Sequence, residues 1–437
     1  MLERVFRLSE NNTNVKTEVL AGLTTFMTMG YIIFVNPAIL KDAGMPFGAV
    51  LVATCVSAAV ATLLMAFLAN YPFALAPGMG LNAFFTYYVV LQLGLSWQAA
   101  LAAVFISGVI FLVLTMTKAR EAIVNAIPLS LKLAVSVGIG LFIALIGFKS
   151  AGIVVGNEAT LVGIGSFKDP QVILATLGLL ITAGLVLKRV KGALLLGILI
   201  TTVVGIPMGI TNLEGFRLVS MPPSVQETFF AFASPDAWKE VLKFGIIPII
   251  LSFTFVDLFD SIGTLVGVSS KANMLDAKGH LPRANKALLA DSIGTMFGAA
   301  MGTSTVTTYV ESASGVAEGG RTGLTAAVVG LLFLVALFFS PLVGIIPGAA
   351  TAPALIIVGI FMMEPVMRID FSNYLEAIPA FMAIVMMPYT FSIAEGIVFG
   401  ILAYTLLHVI AGKTKEISLT MWVLTILFLA KIVFYGS

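Results

Sequence analysis

Two aspartates three residues apart, Asp257 and Asp260, lie in IIPIILSFTFVDLFDSIGTLVGV (246–268), an apolar stretch with no other charge and long enough to cross a bilayer. An ionised carboxylate at the centre of a membrane helix costs about 2.5–3.5 kcal/mol on insertion scales, so an acid retained there is by default a functional candidate. The i, i+3 spacing projects both from one helical face, where they can share a proton, hold a cation or grip a polar ligand. A third acid, Glu311, stands in GTSTVTTYVESASGV (302–316), behind a run of hydroxyl side chains. Asn82 brings an amide into YPFALAPGMGLNAFFTYYVV (71–90), where Pro77, Gly78 and Gly80 interrupt any continuous helix.

The segments around Asn82 and Glu311 are poor ordinary spans, and each is third in its half of the chain. Short or Gly/Pro-broken segments at corresponding places of two halves point to a midplane substrate site. Irregular backbone survives at that depth only where protein or a water-filled cavity satisfies it. The second break falls at Thr303, Ser304 and Thr305, and half-helices starting near Gly80 and Thr305 would offer free amides to a polar ligand. The expected substrate contacts are Asp257, Glu311 and Asn82, with Phe84 and Tyr309 as aromatic walls beside the breaks and Phe85 as their neighbour. Each has a structural alternative: the aspartates bonded to Thr254, Ser261 or Thr264, Glu311 as a cap, Asn82 healing backbone after Pro77, the aromatics as packing.

The elements that must carry these residues are legible in composition. Of 437 residues 59% are hydrophobic and 11% charged, and mean hydropathy is +1.06, whereas soluble domains carry about 25% charge. The chain is therefore read as an all-α polytopic membrane protein. Apolar runs fall near 19–40, 48–69, 73–93, 97–117, 128–148, 171–187, 192–210, 241–268, 286–302, 303–317, 322–340, 343–365, 375–391 and 393–411, about fourteen in all. A further run, 417–435, is interrupted by Lys431 and is open between an interfacial and a spanning helix. Numbered with the N-terminus inside, loops on the cytoplasmic side hold sixteen of the 24 lysines and arginines, which by the positive-inside rule makes the N-terminus cytoplasmic. The expected location is the plasma (inner) membrane.

The longest polar interruption, 211–240, divides a first repeat (1–210, spans 1–7) from a second (241–411, spans 8–14), with a C-terminal apolar helix in 412–437. NAIPLSLKLAVSVGIGLFIA (125–144) recurs as GIIPGAATAPALIIVGIFMM (344–363), pairing Ile127-Pro128 with Ile346-Pro347 and Gly140-x-Phe142 with Gly359-x-Phe361. LLLGIL at 194–199 is echoed by IVFGIL at 397–402. Duplicating an odd number of spans sets the halves in opposite orientations, the inverted-repeat plan of many secondary transporters.

Other motifs carry less. Gly78-x-Gly80-x-x-Ala83 fits a dinucleotide fingerprint by pattern, yet it follows Pro77 with no strand before it in the sequence pattern, and is a helix break. His280 and His408 are too far apart to suggest a metal pair, and Cys55 is the only cysteine, so neither a disulfide nor a cysteine zinc cluster is available. The methionines of FMTMGY and IVMMPY read as packing, and Glu395 as a cap near a helix start. A D-x-x-D pair also marks membrane prenyltransferases, but that reading needs a second acidic cluster, and neither Asp276 nor Asp291 belongs to a repeated D-x-x-D. An intramembrane aspartyl protease needs its acids on two helices, and a channel a ring of like groups or a repeated filter. A net charge of +2 argues against a nucleic-acid surface. Transport is the favoured class, and no enzyme activity is expected.

GLTTFMTMGYIIFVNP (22–37), APGMGLNAFF (76–85), FVDLFDSIGT (255–264) and TSTVTTYVESASGV (303–316), in that order, resemble the purine permeases of the AzgA-like branch of nucleobase-cation symporters. The resemblance covers nearly the whole chain. It implies a fourteen-helix fold of two inverted seven-helix repeats, with two broken helices carrying short strands, a core domain from spans 1–4 and 8–11, and a gate domain from spans 5–7 and 12–14. It further implies that Asp257 and Glu311 contact the nucleobase, that Asp260 affects coupling or geometry, and that Asn82 and Tyr309 line the site. Asp260-Ser261 stands where the uracil branch has a histidine-bearing pattern, so coupling roles known from uracil transport do not carry over. The implied partners are a purine nucleobase, protons and membrane lipid, with a homodimer open; no cofactor is expected beyond the proton as coupling ion.

A purine is a flat apolar body with alternating donors and acceptors, so its site needs a few fixed polar groups between apolar walls. Guanine and hypoxanthine present an N1–H donor that suits an ionised carboxylate, whereas adenine presents an N1 acceptor and requires a protonated acid or an amide. Asp257 therefore tilts the reading toward guanine and hypoxanthine, with an adenine-preferring permease as the alternative. A proton on a buried carboxylate, linked to occupancy, would couple uptake to the proton gradient by symport.

Overall fold

Hydrocarbon offers no hydrogen-bond partner to the backbone, so apolar stretches of this length fold as helices that satisfy themselves. The computed structural model describes residues 2–117, 127–213, 216–243, 247–272, 274–275 and 281–435. Lys118, Arg120, Asp276, Lys278 and His280, which entered the reading of orientation and motifs, lie outside the described residues.

The first apolar run becomes two helices, α1 (Val15–Met29) and α2 (Ile32–Asp42), which meet at Gly30 and Tyr31. They are followed by α3 (Phe47–Leu64), then β1 (Leu75–Pro77), the short α4 (Met79–Ala83) with wide π-type turns at Phe84–Gln92, and α5 (Trp97–Met116). Next come α6 (Leu129–Ser150), a hairpin of β2 (Val154–Asn157) and β3 (Leu161–Ile164), α7 (Pro170–Leu187) and α8 (Ala193–Gly205). The polar connector ends in α9 (Pro235–Lys243), a helix with a strong polar face; its Glu240 accepts from the Ser96 N–H at 2.8 Å and ties the connector to the start of α5.

The second half runs α10 (Ile247–Lys271), α11 (Ala284–Met301), β4 (Val306–Thr308), the short α12 (Ser312–Ala317), α13 (Gly323–Ala336), α14 (Gly348–Met362), α15 (Tyr374–Tyr389), α16 (Ile393–Ile410) and α17 (Leu419–Tyr435). The 241–268 run thus starts later than its hydropathy suggests, because α9 takes its first residues. Among the described residues nine helices are long and apolar enough to cross a membrane. The two broken segments are not among them.

Helices pack in two groups. In one, α1 and α3 pack on α13, α3 and α5 on α11, α5 on α10, and α1 on α12. In the other, α6 packs on α14, α15 and α16, and α7 on α8 and α14. Small residues let backbones approach, as membrane helix interfaces require. A Cβ on Gly140 would stand 2.7 Å from the Gly359 carbonyl oxygen, and one on Gly359 would stand 2.5 Å from that of Gly140. The two glycines paired in the internal repeat therefore meet each other, backbone to backbone, where α6 crosses α14.

Between the groups runs a seam, where α4 meets α6, α1 meets α8, and α10 meets α16. Lys191, just before α8, pairs with Glu318, just after α12, at 2.6 Å. Toward another part of the seam the Lys149 ammonium lies 5.4 Å from the ring centres of both Tyr87 and Phe391. Glu395 does begin α16, yet the cap is Ser392, whose side chain accepts from the Glu395 N–H; the Glu395 carboxylate instead accepts from Tyr88 Oη at 3.2 Å across the seam.

Candidate functional site

Pro77 cannot donate a ladder hydrogen bond and Gly78 has no side chain, so the chain before α4 stays extended and needs partners. It finds them in the other broken segment. β1 and β4 pair antiparallel, Leu75 opposite Thr308, Ala76 opposite Thr307 and Pro77 opposite Val306. The pairing continues at both ends, with Gly78 N–H donating to the Thr305 carbonyl and Tyr309 N–H to that of Ala74, each at 2.9 Å.

A two-stranded sheet still has two bare edges, which hydrocarbon would leave unsatisfied. Hydroxyls from neighbouring helices cover them. Thr62 of α3 accepts from the Leu75 N–H at 2.9 Å and lies 3.0 Å from its carbonyl, while Thr295 of α11 donates to the Val306 carbonyl at 3.0 Å. Ser312 accepts from the Ala74 N–H at 3.0 Å. Gly78 is required here, since a Cβ would stand 2.8 Å from Thr307 Oγ1.

The candidate residues take unequal places around this sheet. Glu311 follows β4 and is half-buried; Tyr31, at the α1–α2 junction, donates to its Oε1 at 2.6 Å. Asp260 is half-buried as well, lies close enough to Glu311, Tyr31 and Tyr309 for charge interaction, and has the Thr307 hydroxyl within hydrogen-bonding reach. Tyr309 is buried and donates to the Pro77 carbonyl at 2.5 Å, joining the two breaks. Asp260 is thus an acid neighbour of Glu311.

Asp257 is fully buried and faces α11: Ser261 and Thr295 hydroxyls lie 3.4 Å from its two carboxylate oxygens. Its bond to Ser261 was among the structural alternatives read from the sequence; the bond to Thr295 was not. Asp257, expected beside Glu311 among the substrate contacts, thus bonds to its own helix and to α11, while Asp260 lies near Glu311. Asn82 is buried in α4 and accepts from Ser304 Oγ, while its Nδ2 has no hydrogen-bond partner among the described residues. Thr303 accepts from Asn36 Nδ2 at 2.9 Å, and Asn36 also donates to Thr54 at 2.7 Å, so the second break is tied to α2 and α3.

Phe84 and Phe85 are fully buried. The Phe84 ring stacks on Tyr88, 5.2 Å away, and meets Phe253 edge-on at 4.9 Å. Glu311 starts α12 without capping it through its side chain. Gly80 packs at the seam, where an added Cβ would stand 2.6 Å from Ile139 of α6.

Tyr31, Thr295 and Thr307 were not singled out by the sequence reading. Tyr31 carried one signal, a hydroxyl next to Gly30 in the middle of an apolar run, but the methionines around it drew the segment toward packing. Thr307 was one of a string of hydroxyls and Thr295 a lone threonine in a helix, so neither stood out. Chemically, the cluster offers two carboxylates, two phenols and an amide donor at a buried sheet, a setting that can hold a small polar ligand and a proton.

A family model described as "Permease family" (Xan_ur_permease) matches residues 16–399. The chain is 46% identical over 437 residues to the adenine permease AdeP of Escherichia coli (strain K12), covering 100% of this chain and 97% of that one. It is 44% identical over 445 residues to the guanine/hypoxanthine permease PbuG of Bacillus subtilis (strain 168), covering 99% and 100%. Among solved structures it resembles the transmembrane domain of a cyanobacterium bicarbonate transporter, BicA, with a TM-score of 0.63 at 15% identity over 87% of this chain and 97% of that one. At that identity the likeness concerns the fold alone.

Proposed function

Starting from the fact that the chain belongs to the permease family and is a multi-pass membrane transporter, not an enzyme, we propose that it imports purine nucleobases by proton symport with alternating access. The observation that carries this reading is the convergence of Glu311, Asp260, Tyr309 and Asn82 on the paired breaks. Glu311 accepts a purine N–H, and the unpartnered Asn82 amide offers a donor to a ring nitrogen or carbonyl. A buried donor left without a partner costs about 1–3 kcal/mol, which a ligand acceptor recovers. Asp260 and Glu311 are the pair between which a proton is shared and released.

The relatives' names divide between adenine and guanine/hypoxanthine, so the preference rests on the carboxylate chemistry, which favours the 6-oxopurines. Uptake of labelled guanine, hypoxanthine, adenine, xanthine and uracil in cells lacking their own carriers tests it. Guanine and hypoxanthine are expected to accumulate, and an uncoupler to abolish accumulation. Strong adenine uptake without guanine would reverse the preference, and accumulation that survives loss of the proton gradient would replace the proton by another ion. Asp257→Asn belongs in the same series. Lowered affinity makes Asp257 a ligand contact; unchanged affinity with reduced abundance makes it the anchor of α11.

We also propose that the two helix groups are the core and gate domains of an inverted repeat of fourteen spans, N-terminus inside. This is supported by the broken segments at the third position of each half, by their antiparallel pairing, and by the meeting of Gly140 with Gly359. The seam is then where the domains move. The Lys191–Glu318 pair crosses it on the cytoplasmic side, with the lysine more than half exposed, so its free energy is small, about 0.2–1 kcal/mol. Lys191→Glu or Glu318→Lys alone is expected to change the maximal uptake rate by about two- to fivefold, and the double exchange to restore it. Single and double variants with identical rates would remove the pair from gating.

A further inference from the structure

A polar cavity lies apart from the acids. It measures about 580 Å³ and opens at the end of the first helix group where the N-terminal segment lies, lined by Asn11, Asn12, Tyr71, Arg283 and Arg321 among others. We infer that this cavity is a binding site for a phosphate ester, held by Arg283 and Arg321 and seated against Tyr71.

Two guanidinium groups from distant parts of the chain converge here, and both are fixed. Arg283 lies over the Tyr71 ring, 4.4 Å from its centre, and its backbone N–H donates to Tyr71 Oη at 3.1 Å. Tyr71 is itself held by stacking on Phe73, with ring centres 5.2 Å apart. Arg321 is anchored through a single terminal nitrogen, Nη1, which donates to the carbonyls of Val316 at 2.7 Å and Gly320 at 2.8 Å. Its backbone N–H is bound by the buried Glu18. Among the described residues neither guanidinium is in an ion pair with a carboxylate; Glu10, at the cavity edge, pairs with Arg7.

A pre-positioned guanidinium fork matches phosphate oxygens, two at a time, better than any other side chain. The cavity is far larger than a bare phosphate needs and falls within the range of about 300–1,000 Å³ typical of small-ligand sites. Asn11 and Asn12 add amide groups, and Tyr71, whose ring carries Arg283 and Phe73, adds its edge and hydroxyl to the wall. The fit is therefore to a phosphate joined to an organic body, from either of two sources: a soluble nucleoside phosphate or the headgroup of an anionic lipid. Loop arginines are common on the cytoplasmic face of membrane proteins. Convergence of two such arginines on one cavity is not part of that bias.

The position gives occupancy a consequence. Tyr71 leads into the first broken segment, four residues before β1, and Arg321 follows the second, four residues after α12. A ligand bridging them pins both breaks from one side and resists their movement.

Thermal unfolding of the purified full-length protein tests the inference, with inorganic phosphate, adenosine monophosphate and guanosine monophosphate as probes against chloride at equal ionic strength. The same protein is compared in nanodiscs of phosphatidylcholine with and without phosphatidylglycerol. A saturable rise of about 2–5 °C in the midpoint is expected with one probe class. Arg283→Gln should weaken it by about tenfold or more. Arg283→Lys keeps the charge without the fork and serves if the glutamine variant does not fold; it should weaken binding as well. A rise with the monophosphates assigns a soluble nucleotide, and a rise with phosphatidylglycerol alone assigns a lipid headgroup. Midpoints that follow ionic strength only, or that rise equally in the Arg283 variants, overturn the site. Because the readout is binding, the result does not depend on which substrate is carried.

Discussion

Glu311→Gln is expected to lower the apparent affinity for purine by about 10- to 100-fold while leaving the protein in the membrane at normal abundance. That factor corresponds to losing a charge-assisted hydrogen bond, worth about 1.5–3 kcal/mol, because the one remaining acceptor oxygen is taken by Tyr31. Glutamine keeps the shape and one acceptor oxygen, so β4 and α12 should persist. The Tyr31 hydroxyl, now 2.6 Å from Oε1, can still find that oxygen. Asp260→Asn is the informative companion. If the two acids share a proton, the asparagine variant should still bind purine but lose the dependence of accumulation on the proton gradient. Kinetics of uptake with and without an uncoupler, in both variants, separate the roles. Wild-type affinity in Glu311→Gln removes Glu311 from the site, whatever becomes of coupling.

Gly80→Leu should abolish transport almost completely with little effect on folding, because its obstruction falls on the seam. A Cβ there meets Ile139 Cγ2 at 2.6 Å and Ile393 Cδ1 at 3.6 Å, both on the second helix group. Overpacking of this kind costs about 1–3 kcal/mol, enough to shift a two-state conformational balance by roughly 5- to 150-fold. Gly140→Leu makes the opposite control. Its Cβ would meet the Gly359 carbonyl oxygen at 2.7 Å inside one group, so the expected loss is of abundance and thermal stability. Uptake normalised to protein in the membrane distinguishes them. Equal loss of abundance in both variants would mean that the seam is as rigid as the helix crossings within each group.

Much of this architecture was legible from residue order alone. Hydropathy is a local property: a run of about twenty apolar residues folds as a helix in lipid whatever its neighbours do. Hence α3, α5, α6, α7 and α16 fall close to their apolar runs. The breaks were legible for a similar reason, since Pro77, Gly78 and Gly80 crowd three helix-weakening residues into four positions, although Gly80 itself lies within the short α4. The start of α10 was missed because hydropathy alone cannot distinguish a membrane helix from the amphipathic α9 that precedes it.

Of the proposed site, residue order offers candidate members and not their arrangement. Composition singled out Asp257, Asp260, Glu311 and Asn82 as polar groups too costly to be incidental, and that much depends on solvation of single side chains. Which acid sits beside Glu311 is another matter. Two residues three apart on a helix differ by about 60° in direction, so both remain plausible neighbours until the surrounding helices are in place. Packing of α10 against α11 turns Asp257 to Thr295 and leaves Asp260 toward Glu311 and Thr307. The partners of the strands, Thr62 and Thr295, and the phenol of Tyr31 likewise come from segments distant in sequence. The sequence by itself therefore determined a multi-pass membrane chain, its two breaks and its few buried acids, because each follows from local transfer free energy and backbone sterics. Only the tertiary structure decided how the breaks pair, which acids meet and where the two groups face each other, because those depend on the relative rotation of helices that no local property encodes.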